Sequence, residues 1–98
     1  MFKVESLRSP SGNKVANQFE LKATNGYIFQ SYNSLVAAQG KRRKVINNQF
    51  YKYSSTTTKY TTVFFHLRSA KELHQDVKNK NIELLDQKAF DKFLQSIK

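Results

Sequence analysis

The chain has no cysteine and no tryptophan, one proline and three glycines. Without cysteine there is no disulfide, thiolate metal site, cysteine nucleophile or thiol redox centre. Gly12, Gly26 and Gly40 stand far apart, so no glycine-rich loop is available to cradle a phosphate. The two histidines, His66 and His74, form neither a His-x-x-x-His nor a His-Glu-x-x-His pair, and no second set of metal ligands accompanies them. No metal and no cofactor is therefore expected. No apolar run approaches the ~20 residues that cross a bilayer. The opening Met1-Phe2-Lys3-Val4-Glu5 lacks the apolar stretch of a signal peptide. A cytoplasmic location without membrane attachment is the expectation.

Acids are also scarce. Against 17 Lys and Arg there are seven Asp and Glu, for a net charge of +10 in 98 residues. From Leu21 to Lys71 no acid occurs, while Lys22, Lys41, Arg42, Arg43, Lys44, Lys52, Lys59, Arg68 and Lys71 do. Residues 1–68 carry +9 and residues 69–98 only +1. A positive field concentrated in two thirds of the chain draws polyanions and speeds their encounter. Against a nucleic-acid backbone it would give salt-sensitive affinity through counterion release.

What is present suffices for one core. Hydrophobic residues make up 39% and aromatics 13% of the chain, above a disordered composition. Phe2 to Leu7 alternates as a strand does, and Ser9-Pro10-Ser11-Gly12-Asn13 is a turn. Gln18 to Ala23 alternates again, then Asn25-Gly26 marks a tight hairpin with its return strand over 27–32. Residues 35–47 form a second hairpin with Lys41-Arg42-Arg43-Lys44 at an exposed tip. Tyr60, Val63, Phe64 and Leu67 follow helical spacing, so 56–67 is predicted helical, capped by Ser54 or Ser55. Ser69-x-x-Glu72 has the form of a capping box and opens a helix over 70–79. Residues 82–85 make a last strand or extended link, and Asp86 caps a final helix carrying Phe90, Phe93, Leu94 and Ile97. Strands first and helices after predict an α+β fold, an antiparallel sheet of hairpins with the C-terminal helices on one face. The chain reads as a single domain, 1–98, mainly β over 1–53 and mainly α over 54–98.

Three stretches carry a resemblance. They are Gly12-Asn13-Lys14-Val15-Ala16-Asn17-Gln18-Phe19, Phe29-Gln30-Ser31-Tyr32-Asn33-Ser34 and Tyr53-Ser54-Ser55-Thr56-Thr57-Thr58-Lys59-Tyr60. In that order they resemble segments of a family of small uncharacterised proteins of bacteriophages and other bacterial mobile elements. The resemblance spans about residues 3–67. It implies a source, and with it a bacterial host cell, but no activity and no catalytic residues.

All five tyrosines, Tyr27, Tyr32, Tyr51, Tyr53 and Tyr60, fall in the acid-free window. Phe50-Tyr51-Lys52-Tyr53 interleaves rings with a base. Such a surface stacks nucleobases while lysines meet phosphates. Read as a strand, it puts Tyr51 and Tyr53 on one face and Phe50 and Lys52 on the other. The candidate nucleic-acid-binding residues are Lys41, Arg42, Arg43, Lys44, Tyr51, Lys52, Tyr53 and Lys59, for DNA or RNA alike, with no catalytic residue. The expected function is that of a small basic, non-catalytic, nucleic-acid-binding accessory protein. An alternative that the resemblance implies is an inhibitor of a host defence nuclease, of anti-CRISPR or anti-restriction type. It would bind the nucleoprotein effector or its RNA or DNA. A basic chain excludes mimicry of nucleic acid. A lesser alternative is a basic ribonuclease toxin using His66, Lys59, Tyr60 and Arg68, of which Lys59, Val63 and His66 share a helical face.

Overall fold

The computed structural model describes residues 3–9 and 11–98. Phe2, expected to open the first strand, and Pro10, expected in the first turn, lie outside the described residues. Six strands are present among the described residues: β1 (Lys3–Arg8), β2 (Lys14–Ala23), β3 (Gly26–Ser31), β4 (Ser34–Gln39), β5 (Lys44–Asn47) and β6 (Glu83–Leu85). Three helices accompany them: α1 (Ser55–Phe64), α2 (Ala70–Lys78) and α3 (Gln87–Ile97). The strands lie in one sheet in sequence order. The first five form an antiparallel meander, and β6 joins β5 in parallel after the chain has crossed through α1 and α2.

The predicted hairpins form in register. Leu21 pairs with Ile28, and Ala38 with Val45. The Asn-Gly signal marks the right place for a different reason, because Gly26 is the first residue of β3 and has no positive φ. A Cβ on Gly26 would collide with the carbonyl oxygen of Gln39 on β4, so glycine is required by close strand approach. The neighbouring Asn25 N–H donates to the Ile97 carbonyl at 2.8 Å, fastening the β2–β3 turn to the end of α3.

Each helix starts at the side chain expected of it. Ser54 Oγ accepts from the Thr57 N–H at 3.0 Å, Ser69 Oγ from Glu72 at 3.3 Å and Asp86 Oδ1 from Ala89 at 2.8 Å. The α+β class is the one the sequence predicts, but the helices do not share a face. Phe29, with Ala37 and Ile46 beside it, faces α1 and α2 in a core that includes Tyr60, Phe64, Phe65 and Leu73. The adjacent Ile28, with Leu21, Ala38 and Val45, faces α3 in a second core containing Phe90, Phe93, Leu94 and Ile97. The reason is in the central strands. Ile28-Phe29, Val36-Ala37-Ala38 and Val45-Ile46 are apolar on consecutive residues and all buried. A sheet apolar on both faces needs a layer on each.

Helix α1 buries a polar stripe beside its apolar one. Thr57, Thr61 and Thr62 are buried, which is tolerable because Thr61 Oγ1 donates to the Thr57 carbonyl at 2.7 Å and Thr62 Oγ1 to that of Thr58 at 2.8 Å. Of the four residues expected as its apolar stripe, Tyr60 and Phe64 are core, while Val63 and Leu67 are half-buried.

Candidate functional site

The outer face of α1 is one wall of a groove of about 780 Å³. Ser55, Thr58, Lys59, Thr62 and Val63 line it, their spacing of three and four placing them along one helical face, and His66 lines it just past the end of the helix. Lys52 and Ser54 enter from the segment before α1, and Leu67, Arg68, Ser69 and Ala70 from the link into α2. No carboxylate is among the lining residues. The starts of two helices, at Ser54-Ser55 and Ser69-Ala70, contribute to the wall, and helix starts carry partial positive charge. Lys52, Lys59, His66 and Arg68 add side-chain cations or, for the imidazole, a titratable donor. Val63 and Leu67 add apolar surface to the lining.

Two of the groove residues sit in backbone conformations that side chains disfavour. Lys52 has φ 59° and His66 has φ 58°. His66 closes α1. Its N–H donates to the Val63 carbonyl at 3.0 Å, and the next N–H, of Leu67, reaches back to Thr62 at 3.0 Å. This is the Schellman end, whose left-handed position is usually glycine. Here an exposed imidazole takes it. On the sheet side of His66 lies Glu20, whose carboxyl is pushed above the ordinary range by burial, with His66 opposing and Glu5 adding.

The aromatic segment before α1 is not a strand. Asn48–Phe50 is a single 3-10 turn, and the Tyr53 N–H closes a further turn onto the Phe50 carbonyl at 3.2 Å. Strand alternation therefore does not apply, and Tyr51 and Tyr53 part company. The Tyr51 hydroxyl hydrogen-bonds His74 Nδ1 at 2.6 Å, tying the segment to α2, and desolvation raises the phenol pKa. Tyr53 is 69% exposed and meets Phe50 edge-on at 5.6 Å. Lys52 Nζ lies 5.6 Å from the Tyr51 ring centre and Lys59 Nζ 5.3 Å from that of Tyr60, cation–π contacts that leave both ammonium groups beside the groove.

The basic tetrad is at the other end of the sheet. Strand β5 runs away from the β4–β5 tip, so residues 41–44 lie beside the β2–β3 turn while Lys52 and Ser54 lie near the β3–β4 turn. Lys41, Arg42 and Arg43 flank a separate hollow of about 350 Å³ with Phe93 and Ile97 of α3. Arg43 is exposed, as the tip reading expects, and its guanidinium is also paired within the fold. Its Nε and one terminal nitrogen donate to the two carboxylate oxygens of Glu83 at 2.8 and 2.9 Å, and its guanidinium lies 5.0 Å over the Phe93 ring. The hydrogen bonds raise the Arg43 pKa and hold Glu83 below the usual carboxylate range. Lys44 is part of β5 and half-buried.

The eight candidates thus divide. Lys52 and Lys59 share the groove, Tyr53 borders a neighbouring hollow, Tyr51 supports the segment from behind, and Lys41 to Lys44 are remote. Arg68 completes the groove; no local signal marks it, because it joins the lining only through the turn after α1. Among the described residues no cluster of His, Asp and Glu could hold a metal ion, and no helix is long and apolar enough to cross a membrane.

No curated protein and no solved structure matches the chain. A family model does match, over residues 2–82, which takes in the whole groove and leaves out only β6 and α3. The chain belongs to this family of unknown function (DUF8033).

Proposed function

We propose that this chain is a non-catalytic nucleic-acid-binding protein that meets the phosphate backbone along the outer face of α1. One observation carries the reading: Lys52, Lys59, His66 and Arg68 line a single groove with no carboxylate in its wall. A groove of that kind attracts a polyanion and places hydroxyl and backbone donors beside it. Lys41 and Arg42 would act as a secondary, longer-range attraction at the far end of the sheet. The phage or mobile-element source rests on the three resemblance segments and fits a host cell rich in nucleic acid. Gel-shift titration at low ionic strength tests the reading. Retardation that weakens as salt rises is expected, and no retardation of any DNA or RNA would end it. A stable complex with a host protein that survives nuclease treatment would favour the inhibitor instead.

One observation favours a second reading. The groove joins His66 to Lys59 and Arg68, the residues a small ribonuclease would need for proton transfer and phosphorane charge. Cleavage of labelled RNA, lost in His66→Ala, would replace binding by catalysis as the function.

A further inference from the structure

Beside the groove lies a second hollow of about 460 Å³, between the β3–β4 turn and the start of α1. Its lining contains no charged residue and two exposed rings, Tyr32 and Tyr53, at 60% and 69% exposure. Ser54 lines both hollows, so the two adjoin at the start of α1. We propose that this hollow takes unpaired bases of a single-stranded nucleic acid whose phosphates follow the groove along α1.

The geometry of Tyr32 argues for it. This residue has φ 53°, a conformation that bulky side chains rarely adopt. Two hydrogen bonds hold it there. Its N–H donates to the Asn17 carbonyl at 2.7 Å, and Gln30 Nε2 donates to the Tyr32 carbonyl at 2.6 Å. Strain that leaves a large ring in water gains nothing from burial. Tyr53 is braced against Phe50 and is likewise held outward. Around the rings, Ser31, Ser34 and Thr56 supply hydroxyls suited to base edges.

The hollow also decides between strands and duplex. In a duplex the base faces are already stacked on one another, so a neutral aromatic hollow would have nothing to bind. A single strand offers its faces freely, and stacking on an aromatic side chain contributes about 1–3 kcal/mol per base. A cationic track joined to neutral rings is the arrangement single-strand binders use.

The inference rests on backbone binding in the groove, so its test separates the two. The chain has five tyrosines and no tryptophan, so its tyrosine fluorescence reports stacking directly. Three probes of equal length are titrated: oligothymidylate, the same phosphodiester chain made abasic, and a duplex. The wild type should bind oligothymidylate at least about fivefold more tightly than the other two, with fluorescence quenching. Tyr32→Ala/Tyr53→Ala should bind oligothymidylate as the wild type binds the abasic strand, and keep its abasic affinity. Tyr32→Phe/Tyr53→Phe should keep the wild-type affinities for all three probes, read by anisotropy of labelled probes, while losing the quenching because the two reporting phenols are gone. Equal affinity of the wild type for all three probes would overturn base binding and leave the groove intact. No binding of any probe would overturn both.

Discussion

The β4–β5 tip and the α1 groove hold similar numbers of cations and use them differently. The tip has Lys41, Arg42, Arg43 and Lys44 in succession, the densest charge in the sequence. Yet Arg43 is turned onto Glu83 and Phe93, and Lys44 is drawn into a strand. The groove draws Lys52, Lys59, His66 and Arg68 from a longer stretch and leaves them facing one acid-free space. Adjacent charges repel and splay, whereas charges spaced along a helix and its flanking turns can converge on one ligand. Density along the chain is thus a poor guide to density in space.

The contrast can be broken from below. Phe64 anchors α1 to the sheet, stacking on Phe29 at 5.8 Å, and both rings are buried. Phe64→Ala should cost about 3–5 kcal/mol, measured by urea unfolding. Phe93, under Arg43, should cost a similar amount if the two faces are equivalent cores. A much smaller loss at either site would show that one face is only loosely covered.

Ser54 comes next. Removing its hydroxyl with Ser54→Ala should cost about 1 kcal/mol and loosen the first turn of α1. The loss should appear as faster amide exchange at Thr57, whose N–H the serine accepts. Protection equal to wild type would mean the cap contributes nothing.

His66 sharpens the contrast because stability and function should move apart. His66→Gly removes a side chain from a left-handed position and should raise stability by up to about 1 kcal/mol. If the imidazole serves the groove, the same variant should bind nucleic acid more weakly. Greater stability with unchanged affinity would reduce His66 to an accident of the helix end.

The smallest effect belongs to the tip. Glu83 is held below the usual carboxylate range by Arg43, so the pair stabilises the fold at neutral pH and the contribution is lost as pH falls through the lowered value. Both side chains are partly exposed to screening solvent, so the loss should be roughly 0.5 kcal/mol and absent in Glu83→Gln. Glu20 has the opposite sign. Its raised pKa favours the fold at low pH, and that advantage is lost as pH rises through the raised value. Urea midpoints from pH 7 to pH 3 for wild type, Glu83→Gln and Glu20→Gln resolve the two slopes.

Much of the fold was legible in the sequence. Alternation, turn residues and the caps Ser54, Ser69 and Asp86 mark most elements to within a few residues, because those signals are local. The two-faced sheet was legible too, in Ile28-Phe29 and Val45-Ile46, where consecutive apolar residues cannot both point one way. The groove was half visible: Lys59, Val63 and His66 follow helical spacing, but Lys52 and Arg68 join them only through tertiary turns. The engagement of Arg43 could not be read locally, since its partner Glu83 lies 40 residues on and meets it only once β6 pairs with β5.

The most direct measurement is the salt dependence of binding to a short single-stranded oligonucleotide for three proteins: wild type, Lys52→Ala/Lys59→Ala/Arg68→Ala and Lys41→Ala/Arg42→Ala. Each lost phosphate contact on a single strand lowers the slope of log affinity against log salt by about 0.7. The groove variant should lose about two in slope, while the tip variant should keep nearly all of it. The reverse order would mean that the polyanion sits at the tip and that the groove along α1 is not where it binds.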